Sequence, residues 1–380
     1  PTTGSGQYTR RLVEHLAALE LTPEITLVVP RGEIPNPKSQ IPNVQFRLTA
    51  NRYRLTAALG KVWFEQVSFP STCVRFGADV AHVPYWASPL RPSVPTVVTI
   101  HDLIPLLLRE YRGGPLVRLY TALVSTAARS GVLVLTDSEA SRQDIVTHLG
   151  LPSERVRVVY LAADKRYTPE SSPLVRGSGR GGEPSSFIGG SRRGVPERYV
   201  LYLGGFDVRK NVATAMRVCR RAGPAIGDEC PLVIAGRLPG RDTPFAPDPR
   251  RLAREQGVDE RFVRFIGFVD EADKPALYRG AVALLFPSRY EGFGLPVLEA
   301  LACGTPVVGS DVSSIPEVVG DAGVLLPPDD AEGMAGALIQ LATDDTFRAE
   351  LSRRALAQAA RFSWERTARE TLAAYQDVVG

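Results

Sequence analysis

Two glutamates separated by seven residues form the segment of the sequence that points most directly to chemistry. Glu291 follows an apolar run, three residues of sequence GFG come next, and Glu299 lies in a stretch with helical periodicity. A carboxylate accepts two hydrogen bonds at once, which suits the hydroxyls of a sugar or the diol of a ribose. Glycines directly before a helix let backbone N–H groups converge on a phosphate, and the helix dipole favours that negative charge. The segment therefore predicts a site for a phosphorylated ligand rich in hydroxyls.

Cationic residues, a histidine and a second glycine-rich turn supply further candidate groups. Arg209 and Lys210 stand between a predicted strand and a predicted helix, where they can neutralise a diphosphate and the charge that develops as it leaves. His101 follows the predicted strand 96–100, and a histidine at the carboxyl end of a parallel strand can bond a sugar hydroxyl or a phosphate oxygen. Gly4 and Gly6 precede a helical pattern and form a second candidate phosphate-binding turn.

The elements that must position these residues follow an α/β pattern. Short apolar runs alternate with helical periodicity on both sides of a segment rich in Gly, Ser, Arg and Pro, which is typical of βαβ units and parallel sheets. At 380 residues the chain is long enough for two such domains. We predict a Rossmann-like N-terminal domain over 1–170, lacking its first strand, a flexible linker over 171–197, a Rossmann-like C-terminal domain over 198–362 and a final helix over 363–380.

Composition and charge exclude several classes of protein and suggest a location. With 44% hydrophobic and 23% charged residues, the chain can bury substantial cores, which argues against a disordered or fibrous protein. Four widely spaced cysteines without a CxxC pair favour a reducing compartment over a disulfide framework or a structural zinc site. The sequence shows neither a run of membrane-spanning length nor a signal segment, so a cytoplasmic location is expected. The first 170 residues contain 19 Lys and Arg against 14 Asp and Glu, a balance that suits peripheral contact with the inner face of a membrane.

The segments that surround these candidate residues resemble glycosyltransferase family 4, whose members are retaining enzymes of the GT-B fold. In the second half the similar segments are EGFGLPVLEA, GTPVV, SSIPEVVGDAG, YLGGFDVRKN, LVIAG and FIGFVDEADKPALY, and in the first half TTGSGQYTRRL, TIHDLIP and LTDSEASRQDI. The resemblance implies two doubly wound Rossmann-like domains that face a central cleft. It also implies that the final helix packs back on the N-terminal domain.

The resemblance assigns roles to individual residues. By it, Glu299 holds the ribose of a nucleotide, Glu291 holds hydroxyls of the transferred sugar, and Lys210 stabilises the leaving group. His101 matches a histidine assigned to donor positioning or acid–base help, so His101, Lys210 and Glu291 are the predicted catalytic residues. The residues expected to bind the donor are Gly4, Gly6, Arg209, Lys210, Phe293, Gly294, Leu295, Pro296, Val297 and Glu299.

One departure from the family pattern bears on the predicted cationic clamp. Many members have an arginine where this chain has Gly205. We therefore expect the clamp to consist of Arg209 and Lys210.

The resemblance implies an enzyme that moves a hexose from a nucleotide diphosphate sugar to a hydroxyl of a glycan or lipid-linked acceptor, with retention. The segments TIHDLIPL and PYW are similar to those of bacterial mannosyltransferases of surface polysaccharide assembly, which favours GDP-mannose over a UDP-sugar. No metal cofactor and no nucleic-acid partner is expected. The alternatives are a nucleotide-sugar epimerase or a phosphorylase of the same fold, and a non-catalytic nucleotide-sugar-binding subunit.

Overall fold

The computed structural model describes residues 4–20, 23–30, 44–49, 57–169 and 195–380, which divide into two compact units. The first unit comprises Pro1–Leu161 and Ser363–Gly380, and the second comprises Ala162–Phe362. Most of the predicted linker lies outside the described residues. The end of the predicted first domain, residues 162–169, belongs to the second unit, because Tyr167 packs against Tyr278 with 5.9 Å between the ring centroids.

The first unit contains two parallel sheets. Strands β1 (Ile25–Pro30) and β2 (Val44–Thr49) pair with each other, and the second sheet has the order β3 (Ala81–Val83), β4 (Thr96–Thr99), β5 (Leu133–Thr136) and β6 (Val156–Val158). Its helices before the second unit are α1 (Gly4–Leu16), α2 (Ala57–Trp63), α3 (Phe69–Arg75), α4 (Ile104–Leu107), α5 (Pro115–Ala128) and α6 (Glu139–Leu149). A π-helical turn, Phe64–Ser68, joins α2 to α3.

The second unit is built on one sheet of six parallel strands. They are β7 (Tyr199–Leu203), β8 (Leu232–Ala235), β9 (Val263–Gly267), β10 (Ala281–Phe286), β11 (Val307–Ser310) and β12 (Gly323–Leu326), in the order β12-β11-β10-β7-β8-β9. The helices are α7 (Val212–Ile226), α8 (Pro249–Glu255), α9 (Lys274–Gly280), α10 (Leu295–Ala302), α11 (Ile315–Val319), α12 (Ala331–Thr343) and α13 (Asp345–Ala359). The winding direction reverses between β7 and β10, which is where ligands bind in doubly wound sheets.

The last helix, α14 (Trp364–Val379), covers one face of the four-stranded sheet in the first unit. Val97 and Leu135 belong to the same buried cluster as Ala374 of α14. On the other face, Val98 clusters with Ile145 of α6. Because both faces are covered, every residue of the two central strands, β4 and β5, is buried, as is usual in parallel sheets.

The predicted α/β class, with parallel sheets in two Rossmann-like units, is confirmed. Strands β7, β8 and β12 coincide with the apolar runs 199–203, 232–235 and 323–326, which the sequence predicts as strands. Strand β2 was not predicted. The apolar periodicity of the sequence predicts a helix only from Tyr8, but α1 begins at Gly4, because the residues of its first turn, GSGQ, carry no apolar periodicity.

Candidate functional site

Glu291 forms two short ion pairs with the cations of the segment VRKN. The Arg209 guanidinium donates to Oε2 at 2.6 Å, and Lys210 Nζ donates to Oε1 at 2.7 Å. The Glu291 side chain is 9% exposed, and those of Arg209 and Lys210 are 13% exposed. Burial alone would raise the pKa of Glu291, but the charges of Lys210 and Arg209 outweigh burial and lower it. Glu291 is therefore an ionised carboxylate at neutral pH, shared by two cations.

The loops that follow β7 and β10 bring these three groups together. The two strands are neighbours in the sheet, so their carboxyl ends meet at the point where the winding reverses. Asn211, with φ of 54°, ends the turn that carries the cations, and its Nδ2 donates to the Pro287 carbonyl at 3.1 Å. The Arg289 backbone N–H donates to the Arg209 carbonyl at 2.8 Å. These bonds tie the cationic turn to the loop that carries Glu291.

The backbone of Glu291 is fixed from a third loop, which follows β11. The Glu291 N–H donates to Ser313 Oγ at 2.9 Å, and Ser314 Oγ donates to the Glu291 carbonyl at 3.0 Å. Ser313 adopts a positive φ of 51°, which is uncommon for a residue with a side chain. The carboxylate is thus pre-positioned, since its own backbone cannot shift without breaking both bonds.

Helix α10 starts at the glycine-rich turn that the sequence singled out. Gly294 has a φ of 100°, in the region that favours glycine, and Leu295 and Pro296 open the helix. Phe293 and Val297 are buried and anchor this turn, with the Phe293 ring 5.9 Å from that of Phe362. A helix N-terminus carries partial positive charge and N–H groups without partners in the helix. The backbone of the first turn is therefore a candidate for phosphate binding, as predicted.

Glu299 lies further along α10 in a different electrostatic setting from Glu291. The Tyr278 hydroxyl donates to Oε2 at 2.9 Å. Burial raises the pKa of Glu299 to about 7, although Lys274 and the Tyr278 bond oppose the increase. Glu299 therefore changes its charge near neutral pH, whereas Glu291 does not.

In the first unit, His101 is paired with an aspartate that the sequence did not single out. His101 Nδ1 lies 2.7 Å from Asp137 Oδ2, and the Tyr8 ring contacts the imidazole edge-on with 4.8 Å between centroids. Burial lowers the pKa of His101, but the charge and hydrogen bond of Asp137 outweigh burial and raise it. Because Nδ1 is committed to Asp137, Nε2 is the nitrogen that can exchange a proton with a substrate.

Gly4 and Gly6, predicted as a loop before a helix, instead form part of the first turn of α1. They belong to the first unit together with His101, whereas the remaining predicted site residues belong to the second unit. The first turn of a helix still presents N–H groups that an anion can accept. Their predicted role in donor binding stays a prediction.

Four residues of these sites were given no role from the sequence, although each lies in a segment that resembles the family, and two of them carried a further local signal. Asn211 is a residue type that tolerates positive φ, and it follows the cations directly. Asp137 stands just after β5, the neighbour of the strand that precedes His101. No local signal indicated the contacts of Tyr278 and Ser313 with the two glutamates, because these contacts depend on tertiary packing.

Two family models match most of the chain. Residues 2–166 match the model described as Glycosyltransferase Family 4, and residues 197–344 match the model described as Glycosyl transferases group 1.

Curated relatives are similar over about three quarters of this chain. O-antigen chain mannosyltransferase B of Escherichia coli is 33% identical over 74% of this chain and 70% of its own length. The serotype-specific mannosyltransferase WbdA of Escherichia coli is 29% identical over 72% of this chain, which spans only 32% of that longer protein. A D-inositol 3-phosphate glycosyltransferase of Salinispora tropica is 31% identical over 79% of this chain and 64% of its own length.

Solved structures share the fold of the whole chain at low sequence identity. Sucrose-phosphate synthase from Thermosynechococcus elongatus has a TM-score of 0.73 and 21% identity, with coverage of 99% of this chain and 94% of that one. Anabaena Alr3699/HepE in complex with UDP and glucose has a TM-score of 0.69 and 16% identity, with coverage of 99% and 96%. Both support the assignment of the GT-B fold.

Neither a metal-binding cluster nor a membrane-spanning helix occurs in the described part of the chain. Among those residues, no three His, Cys, Asp or Glu side chains are grouped so that they could hold a metal ion. None of the helices in the same part of the chain has both the length and the apolar character needed to cross a bilayer.

Proposed function

The chain belongs to glycosyltransferase family 4, and on that premise we propose that it transfers a hexose from a nucleotide diphosphate sugar to an acceptor hydroxyl with retention at the anomeric carbon. The observation that carries the proposal is the cluster of Arg209, Lys210 and Glu291 at the winding reversal of the second unit. A diphosphate needs cations where its charge develops, and a sugar needs a fixed carboxylate for its hydroxyls. Both are present within one ion-paired group.

The proposed mechanism consists mainly of positioning and electrostatics. The diphosphate binds Arg209, Lys210 and the backbone at the start of α10, and the two cations stabilise the charge on the leaving group. Glu299 accepts the ribose hydroxyls, and Glu291 accepts hydroxyls of the hexose near its reacting carbon. A phosphate oxygen of the departing diphosphate takes the acceptor proton on the same face of the sugar, which gives retention.

His101 is proposed to bond a hydroxyl of a substrate through Nε2. Asp137 accepts from Nδ1, so it sets the tautomer and stabilises a positive charge on the ring. Whether His101 exchanges a proton in the reaction or only holds a hydroxyl distinguishes a catalytic role from a binding one. A comparison of the pH profiles of turnover for His101→Asn and the wild type separates the two roles. If His101 exchanges a proton, the variant loses one titrating limb of the profile, and if His101 only holds a hydroxyl, the limb stays.

GDP-mannose is the proposed donor, and a glycan or a lipid-linked sugar is the proposed acceptor. The support is that one E. coli relative is named an O-antigen chain mannosyltransferase and another a serotype-specific mannosyltransferase. A cytoplasmic location, with peripheral contact between the first unit and the membrane, is proposed from the basic balance of the sequence.

The experiment begins with thermal shifts of the intact protein in GDP, UDP and ADP, because a ligand that binds only the folded state raises the melting temperature. Transfer is then assayed with the matching nucleotide sugar, and the anomeric configuration of the product is read by NMR. Lys210→Ala is expected to lower turnover by at least about a hundredfold, as for loss of one group that stabilises developing charge. The control is Lys165→Ala, an exposed lysine.

Each of the other outcomes removes part of the proposal. Nucleotide binding without any transfer would favour a non-catalytic subunit, and an inverted product would exclude retention. Interconversion of the donor without an acceptor would favour an epimerase.

A further inference from the structure

A chain of hydrogen bonds inside the first unit connects its last helix to its first. The Tyr375 hydroxyl on α14 lies 2.6 Å from His82 Nδ1, and His82 Nε2 lies 2.7 Å from Thr99 Oγ1. Thr99 Oγ1 in turn lies 3.2 Å from the Tyr8 hydroxyl on α1. Residues from α14, β3, β4 and α1 therefore form one continuous polar path within an apolar surround.

The path ends beside His101. The Tyr8 ring meets the His101 imidazole edge-on, at 83° between the ring planes, and Tyr8 is 5% exposed. Asp137 holds the imidazole from another side through Nδ1. The bond to Asp137 fixes one nitrogen of His101, and the Tyr8 ring limits rotation of the imidazole about that bond.

His82 suits a fixed connecting role because it stays uncharged. Burial and, to a smaller extent, the charge on His101 lower its pKa to about 3. A neutral imidazole has one N–H donor and one acceptor nitrogen, so it donates a hydrogen bond to one neighbour and accepts one from another. Tyr375 and Thr99 are those neighbours, and the path keeps its bonds throughout the neutral pH range.

We propose that Tyr8, held by Thr99, His82 and Tyr375, is a positioning residue that fixes the imidazole of His101 for the transfer reaction. The part that concerns transfer rests on the function proposed above. The part that concerns the orientation of His101 rests only on the contacts in the first unit. The competing explanation is that the path merely stabilises the packing of α14.

Three variants separate these explanations. Tyr375→Phe and Tyr8→Phe each remove one hydroxyl of the path and keep the ring. Thr371→Val is the matched control, since Thr371 is a buried hydroxyl on the same helix whose bond, at 2.7 Å, goes to the Thr367 carbonyl of its own helix.

The first measurement reads His101 directly and does not need activity. The chain has four histidines, so protein labelled with ¹⁵N-histidine gives four imidazole spin systems, which single His→Asn variants assign. In the wild type and in Thr371→Val, we expect His101 to keep its proton on Nδ1 and to titrate at one pKa. In Tyr375→Phe and Tyr8→Phe, we expect altered His101 shifts and a changed titration.

The second measurement compares the effect of each variant on kcat with its effect on KM and on nucleotide affinity. Both path variants should lower kcat about tenfold, because a misplacement of about 1 Å can cost about a hundredfold and the loss of one hydroxyl is expected to shift the imidazole by less. Their KM for the nucleotide sugar and their nucleotide affinity should stay within about twofold of the wild type, since Arg209, Lys210 and Glu299, the proposed ligands of the diphosphate and the ribose, lie in the second unit.

Two results would overturn the proposal. In one, the His101 signals of both path variants match those of the wild type, and the stability of the folded protein falls only as much as in Thr371→Val. The path would then serve only the packing of α14. In the other, kcat and the pH profile are unchanged although the His101 signals move. Failure of the wild type itself to bind any nucleotide would instead count against the proposed function, and the histidine spectra would remain interpretable.

Discussion

Glu291→Gln tests the ion-paired cluster at the centre of the site. Glu291 accepts from Arg209 at 2.6 Å and from Lys210 at 2.7 Å, and the three side chains are almost entirely enclosed. Removing one partner of a buried ion pair costs about 3–5 kcal/mol, because the remaining charge stays buried. Glutamine keeps one acceptor oxygen and the same size, so we expect a loss near the lower figure, about 3 kcal/mol.

The stability change can be measured by thermal unfolding. For a unit of this size, about 3 kcal/mol corresponds to a decrease in melting temperature of roughly 10 °C. Glu229→Gln, an exposed glutamate of the same unit, is the control and should change the melting temperature little.

The same substitution should have the opposite effect on nucleotide binding. By the proposed mechanism, a diphosphate competes with the Glu291 carboxylate for the two cations in the wild type, and the variant removes that competition. We expect GDP or UDP, whichever the wild type binds, to bind the variant about tenfold more tightly by calorimetry, a gain of about 1.4 kcal/mol. Transfer should fall by at least about a hundredfold, because the sugar loses its carboxylate.

Two results would refute this reasoning. A variant as stable as the wild type would show that the ion pairs add nothing to the fold. A variant that binds the nucleotide equally or less tightly would show that the carboxylate does not compete with the diphosphate.

Three further predictions follow from individual residues. Folding raises the pKa of Glu299 to about 7, so the wild type loses about 3 kcal/mol of stability as pH rises from its ordinary pKa to 7. Glu299→Gln lacks that loss, so in urea unfolding the free energy of unfolding of the variant should rise relative to that of the wild type across this pH range. A difference between the two free energies that does not change with pH would contradict the raised pKa. Gly236 has a φ of 153°, and a Cβ there would lie 2.2 Å from the Gly204 carbonyl oxygen. Gly236→Ala should therefore cost about 3 kcal/mol or more in urea unfolding, whereas Gly240→Ala, where a Cβ meets open space, should cost less than 1 kcal/mol. Transfer should persist in EDTA, as the sequence predicted, and complete loss that magnesium or manganese restores would disprove metal independence.

The sequence determined the α/β class and most of the strand positions, because apolar runs and helix starts are local signals. The turn at Gly294 is an example, since a glycine with a proline two residues later indicates a helix start without a structure. Arg209, Lys210 and Glu291 could likewise be named in advance, because charged residues in loops between strands and helices are visible in the sequence alone.

Only the tertiary structure decided how these residues are paired. Arg209 and Glu291 are 82 positions apart in the sequence, and His82 and Tyr375 are 293 apart, so no local pattern predicts that either pair is in contact. Strand order sets the first contact, because β7 and β10 are neighbours although two strands separate them in the chain. The return of α14 to the first unit sets the second. The pKa values of Glu291 and Glu299 differ for the same reason. Two cations lower the pKa of Glu291, and burial raises that of Glu299. The neighbours and the burial of a side chain are properties of the folded chain alone.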